Sequence, residues 1–351
     1  MSERQRSIDA EATPGPTRAE LSARGGGFGD LVVRWGLIAV LVVMVAGFTL
    51  AEPAFLRVAN LFIILQSVSI VALLALGVTC SMVVGGFDLS IGSVAAASLM
   101  ASAYAMVVLG LGAVPAVALA LAIGLLVGAI NAVLIVKLKI PDLLATLGMM
   151  FLILGLQLIP TGGRSIASGM QLPSGETVEG AFSAAFLALG RARVGGVVPV
   201  PVIVMIVLAV AVWVLLERTR FGRVMYAIGG NEQAARLAGA NVAAYKFAAY
   251  MISGLFAAIG GVLLAARVGR GDVSSGNSLL LDAVAAALIG FAVMGARRPN
   301  ALGTAIGALF VGTLLNGLTM LNAPYYAQDF VKGLVLVLAL AFTFGIAARR
   351  G

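Results

Sequence analysis

GRVMYAIGGNEQAARLAGANVAAYK, Gly222 to Lys246, is a long polar stretch set between two apolar runs of membrane length, and the basic run ERTRFGR at Glu217–Arg223 introduces it. Its centre, Asn231–Val242, reads as a short helix. Asn231 is placed to cap the first turn, Glu232 sits where the helix dipole favours an anion, and Gly239 marks the stop. Gln233, Arg236 and Asn241 offer polar contacts, while Ala234, Ala235, Leu237 and Ala238 offer a small apolar surface. Two uses fit such a segment: a solvated loop between helices, or a docking helix for a soluble partner.

The rest of the chain says what the segment is embedded in. The 351 residues are 61% hydrophobic and only 11% charged, with a mean hydropathy of +1.08. Soluble domains carry about 25% charged residues. The composition therefore implies an all-α integral membrane protein, with room for about eight to eleven spans of roughly 20 residues. The net charge of +8 lies in short loops between apolar runs, where membrane topology explains it better than nucleic acid does. Cys80 is alone within an apolar run, and the chain has no histidine, so a disulfide framework, a thiolate metal site and histidine chemistry are all unavailable. The lysines are Lys137, Lys139, Lys246 and Lys332, and none precedes Ser or Thr. A Walker A phosphate loop cannot be built from them, so any ATP must be bound by another polypeptide. No catalytic constellation, cofactor site or metal site is expected.

Residues 1–30 read as a polar, disordered tail, and 31–348 as a single membrane domain with its docking loop at about 217–246. About ten spans are expected, near 31–51, 61–84, 94–109, 114–136, 143–159, 199–216, 247–266, 283–295, 301–321 and 330–347. The eighth is short and interrupted by glycine, which suggests a tilted, broken or re-entrant segment. Threaded from a cytoplasmic start, about fifteen Lys and Arg fall inside and about six outside. Both termini and the docking segment are then cytoplasmic, and the polar segment Thr161–Val198 faces out.

A repeat is visible at an offset of roughly 184 residues. GGFDLSIGS at 85 matches GRGDVSSGN at 269, AIGLLVGAINAVL at 122 matches AIGALFVGTLLNGL at 305, and Pro141 matches Pro324. Spans two to five thus recur as seven to ten, in opposite orientation because an odd number of spans separates them. Gly85, Gly86, Asp88 and Asp272 read as structural turns, each aspartate starting the helix that follows it. Every acid stands at or near the end of an expected span, which disfavours an ion-coupled carrier. Gln66, Asn131, Gln157 and Asn316 lie in or near apolar runs and serve either interhelical hydrogen bonds or a solute path. Gln66, Asn131 and Asn316 are the path candidates. Gly124-x-x-x-Gly128 and Gly303-x-x-x-Gly307 favour close helix packing.

Glu232, Ala234, Ala235 and Gly239 match the Glu-Ala-Ala…Gly signature of ATP-driven importer permeases. With Tyr226–Asn231 ahead of it, the stretch resembles the ribose-type, or monosaccharide, ABC-importer permeases. The resemblance extends over about residues 55–347 and includes Asn60-Leu61, GGFDLSIGS, Asp142–Gly148, Leu281-Asp282, Asn316-Gly317 and Val331-Lys332-Gly333. At Gly295–Asn300, GARRPN, the chain departs from that family's glycine-rich turn. The resemblance implies a non-catalytic permease subunit of a bacterial inner membrane. Its implied partners are a second permease copy or homologue, cytoplasmic ATPase subunits, and a periplasmic sugar-binding protein. It also implies that Asn231, Glu232, Ala235, Arg236 and Gly239 couple the permease to the ATPase. Branched-chain amino-acid permeases of the same superfamily and secondary carriers stand as the alternatives.

Overall fold

The computed structural model describes residues 28–171, 175–292 and 298–348. Helix α1 (Phe28–Ala51) leads through a 3-10 turn at Pro53–Leu56 into α2 (Val58–Val83), α3 (Ile91–Val107), α4 (Ala113–Val136) and α5 (Asp142–Leu156). A short helix α6 (Ala184–Arg191) and a hairpin of β1 (Arg193–Val194) and β2 (Val198–Pro199) follow. Helix α7 (Val200–Trp213) ends in a π-helical turn at Val214–Arg218, then come α8 (Arg220–Gly230) and α9 (Glu232–Leu237). The chain closes with α10 (Val242–Val268), α11 (Ser275–Ala292), α12 (Ala301–Met320) and α13 (Tyr325–Ala348). Among the described residues, six helical segments are long and apolar enough to cross a membrane, and α1, α3 and α11 contain shorter apolar helices. The class is all-α, as the composition requires.

Burial sorts the helices into an inner and an outer set. Every residue of α2 from Val68 to Ser81 is buried, as is every residue of α3 from Ile91 to Met100. A helix apolar all round belongs where protein or lipid covers every face, and the small Ala, Ser and Gly side chains of α3 let α4, α5, α10 and α11 pack around it. The outer helices expose large apolar side chains, such as Phe151 and Leu152 on α5, Val207 and Val210 on α7, and Val337 on α13. In water such faces would be untenable; against hydrocarbon they cost nothing.

The two halves share their element spacing. Helices α2 and α10 start 184 residues apart (58 and 242), as α3 and α11 do (91 and 275), and α5 and α13 start 183 apart (142 and 325). Helix α4 packs on α10, and α12 on α2; α3 meets α4, and α11 meets α12. Across the halves, α2 lies against α10 and α3 against α11. Gly92 and Gly276, equivalent by the same offset, meet where α3 approaches α11, and a Cβ on Gly92 would collide with the Gly276 carbonyl. Lys139 (φ 56°) and Asn322 (φ 55°) are the non-glycine residues with positive φ among the described residues, and each stands two positions before its matched proline, Pro141 or Pro324.

Two element boundaries differ from the sequence reading. The segment before Asn231 is helical rather than a loop: Thr219 Oγ1 accepts from Gly222 N at 3.1 Å, and Gly222, Met225 and Ile228 form a buried stripe at helical spacing. Its glycines hide it from propensity, and burial overrides them. The eighth expected span starts at Ser275 instead of Ala283 and runs unbroken to Ala292, because the polar SGNSLLLD segment is already helical. Described parts of the polar segment lie on the end of α10, where Ile166 is bridged to Gly271 and Arg191 donates to the Arg267 and Val268 carbonyls. Most of the expected tail 1–30 and part of GARRPN lie outside the described residues; α1 takes in Phe28–Asp30.

Candidate functional site

The docking segment is built from its caps. Asn231 Oδ1 accepts from Ala234 N at 3.0 Å and starts α9. After Leu237 the chain turns at Ala238, and Gly239 takes φ +87°, a left-handed stop that suits glycine. Asn241 Oδ1 accepts from Ala244 N at 3.1 Å and starts α10. Ala235 is buried against the body, whereas Gln233, Arg236 and Leu237 face outward, Leu237 at 90% exposure. Leu237 thus stands at the crest of a short helix that is capped at its start and stopped at Gly239.

Glu232 ties the crest down. It accepts from Lys246 Nζ at 2.6 Å, on the first turns of α10, and pairs with Arg236 at 2.7 Å. The Lys246 hydrogen bond, aided by Arg236, holds the Glu232 carboxyl below its ordinary range. Between α9, the α4–α5 turn and Gly85-Gly86 lies a polar notch of about 710 Å³, lined by Lys139, Asp142, Glu232, Arg236, Lys246 and Tyr250.

Helix α8 connects the crest to both halves. Gly229 presses on the Val83 carbonyl at the end of α2, and a Cβ on Gly85 (φ +78°) would lie 3.5 Å from Gly229 Cα. On the other side Tyr226 donates its hydroxyl toward Glu217 Oε1 (3.1 Å) and the Pro299 carbonyl (2.8 Å). Arg298 pairs with Glu217 at 2.9 Å and stacks over the Tyr226 ring at 4.3 Å. Helix α8, next to α9 in the chain, thus touches both the end of α2 and the segment before α12.

The family described as branched-chain amino acid transport system / permease component matches residues 60–340. The ribose import permease protein RbsC of Escherichia coli K12 is 37% identical over 310 residues, 88% of this chain and 93% of that one. RbsC of Bacillus subtilis is 37% identical over 313 residues, covering 89% and 93%. The xylose transport system permease protein XylH of E. coli K12 is 30% identical over 352 residues, covering 87% and 90%.

The chain belongs to this permease family.

No solved structure matches the permease.

Within the permease, Asp88 forms a buried joint. Its Oδ1 accepts from Ser90 N (2.9 Å) and Ser90 Oγ (2.6 Å), and its Oδ2 from Ser253 Oγ of α10 (2.6 Å). Asp272 makes the same turn, accepting from Ser274 N (3.0 Å) and Ser274 Oγ (2.9 Å), but stands near the surface beside Arg270. Each aspartate thus orders the turn before its helix rather than bonding the first helical amides.

The path candidates are not brought together. Gln66 donates to the Gly190 carbonyl of α6 at 2.8 Å. Asn131 donates to Ser90 Oγ at 2.8 Å and so joins the Asp88 group. Asn316 accepts from Asn60 at 3.0 Å. Each makes a separate bond: Asn316 meets Asn60 near the start of α2, six residues before Gln66, whereas Asn131 joins the group beyond Val83, which lies 17 residues, about 25 Å, after Gln66 on α2. Sequence reading missed Ser253, Tyr250 and the Glu217–Arg298 pair, because distant segments supply the partners and no spacing announces them.

Proposed function

We propose that the chain forms, with a second permease copy or a homologue, the membrane path of an ATP-driven importer for a monosaccharide or related polyol. In this reading it has about ten spans in an inverted repeat, both termini are cytoplasmic, and the membrane is a bacterial inner membrane. A periplasmic binding protein delivers the solute on the side of Thr161–Val198. A cytoplasmic ATPase binds at α9, with Asn231, Glu232, Ala235, Arg236 and Gly239 holding its contact surface in shape. The observation that carries the reading is the capped helix α9, with Leu237 exposed and its base clamped to both halves through α8. Identity of 30 to 37% with ribose and xylose permeases over nearly nine-tenths of the chain supports the sugar class over the amino-acid alternative. The matched element spacing and reciprocal packing of the two halves support the repeat.

The test is reconstitution. The purified chain is expected to hydrolyse no ATP, since no Gly-Lys-Ser/Thr sequence is present. With its ATPase and binding protein in proteoliposomes, it is expected to take up sugar only when ATP is supplied. Uptake driven by an ion gradient without ATP would overturn the importer reading.

A further inference from the structure

Helix α7 and the π-helical turn after it hold no charged residue from Val200 to Leu216, and then present Glu217 and Arg218 side by side. Val207, Val210 and Val214 expose one apolar stripe at i, i+3, i+7 spacing, and Arg218 continues it about one turn on. The face that meets hydrocarbon therefore ends in a cation, at the level where the apolar run stops. Trp213 lies under that cation, its ring centroid 5.0 Å from the Arg218 guanidinium carbon. Tryptophan favours this level of a membrane protein because its ring is apolar and its N–H is polar.

Beside the turn a cleft of about 400 Å³ opens toward the start of α12, lined by Trp213, Glu217, Arg218, Arg298, Asn300 and Leu302. Its charged groups are unequally occupied. Glu217 Oε1 accepts from Tyr226, and its Oε2 accepts from Arg298 at 2.9 Å. Arg298 gives one nitrogen to that bond and keeps its side chain half exposed. Arg218 makes no hydrogen bond or ion pair among the described residues. Two guanidiniums thus face one carboxylate, and the cleft keeps one positive charge in excess.

The surroundings decide what meets that charge. Acyl chains lying along Val207, Val210 and Val214 bring their headgroups to the height of Arg218, and the exposed Leu302 on α12 extends the apolar floor on the other side of the cleft. A soluble anion would engage the arginines and leave Val214 and Leu302 uncovered. A zwitterionic headgroup would bring its ammonium beside two guanidiniums. A lipid whose headgroup carries net negative charge satisfies both the polar and the apolar part of the lining.

We propose that the cleft binds one anionic phospholipid, with its phosphate between Arg218 and Arg298 and its acyl chains along Val214, Val210 and Leu302. Guanidinium N–H groups donate to the phosphate oxygens, a pairing that their planar fork favours. The bound lipid joins the end of α7 to the segment before α12, and so braces the Tyr226–Glu217–Arg298 clasp from the membrane side. Because it binds the folded chain, it stabilises that chain. The proposal needs only the membrane class of the protein and holds whatever solute the permease moves.

The test follows thermal unfolding of the full chain in a neutral detergent while phosphatidylglycerol or phosphatidylethanolamine is titrated in. The parent is expected to half-saturate at about fivefold less phosphatidylglycerol, the scale of one basic side chain at an anionic headgroup. Arg218→Gln should bring the two lipids level with little change in the lipid-free transition, because Arg218 bonds nothing in the fold; Arg218→Lys should keep most of the preference. Arg223→Gln, at an exposed arginine of α8 outside the cleft, should keep all of it. Glycerol 3-phosphate, which offers the phosphate without acyl chains, should not shift the transition. No preference in the parent, or an equal loss from Arg218→Gln and Arg223→Gln, would reduce the effect to diffuse charge and overturn the proposal. A shift by glycerol 3-phosphate equal to that by phosphatidylglycerol would make the cleft a free-phosphate site and overturn the lipid. Loss of ATPase co-purification by Arg218→Gln with the lipid preference unchanged would give the cleft to the ATPase instead.

Discussion

At Gly239 a single backbone angle decides whether α9 can end where it does. With φ at +87° and no atom within 4 Å of a would-be Cβ, the cost of substitution is conformational and not steric. A branched residue there is strained by roughly 1 kcal/mol or more, whereas asparagine tolerates the left-handed region. Gly239→Val is expected to reach the membrane at the parental level but to lose ATPase co-purification and sugar uptake; Gly239→Asn should keep both. Parental uptake by Gly239→Val would make the segment an ordinary loop. Glu232→Ala should do less, because a half-exposed ion pair contributes about 0.3–1 kcal/mol. The Glu232 carboxyl is held low, so its tether is fully present above the ordinary carboxylate range and is lost as pH falls through the depressed value. Protection of the amides of Ala234, Ala235 and Ala238–Ala240, taken relative to their intrinsic exchange rate at each pH, should accordingly hold down to the usual glutamate range and fall only below it.

At the scale of elements, the contact of α3 with α11 sets how closely the halves approach. A Cβ on Gly92 would strike the Gly276 carbonyl and stand 2.7 Å from Leu280 Cβ, whereas one on Gly276 would meet Ala96 Cβ at 3.2 Å. Backbone cannot yield as a side-chain tip can. Gly92→Ala is therefore expected to destabilise the folded permease by about 1–3 kcal/mol, the usual cost of overpacking. Gly276→Ala should cost less. Gly148→Ala, with open space around the site, should be neutral or slightly stabilising, since alanine is the better helix former. Thermal unfolding in detergent ranks the three, and equal transitions for Gly92→Ala and Gly148→Ala would refute the close approach.

For the whole molecule, orientation is the property on which the proposed importer reading depends. Cysteines at Glu179 and Ser275 are expected to label from outside intact cells, and cysteines at Gln233 and Leu138 only after permeabilisation. The charge bias of the loops motivates this. The structure adds that Gln233 and Leu138 are exposed, so each is reachable from its own side. External labelling at Gln233 would overturn the orientation and the docking reading together.

The membrane class, the helical content and the caps at Asn231 and Gly239 were all readable from the chain, because each depends on local chemistry: hydropathy, periodicity, a capping side chain or a backbone angle. Helix α8 and the true start of α11 were not, since their polar and glycine-rich residues are held helical by burial that distant segments supply. The partners were hidden for the same reason. That Asn131 serves Asp88 through Ser90, that Tyr226 clasps Pro299, and that Lys332 meets Asp282 are facts of pairing across 41, 73 and 50 residues. A hydrogen bond or ion pair forms only when both groups are carried to within about 3 Å, and only the packing of the helices decides which groups those are.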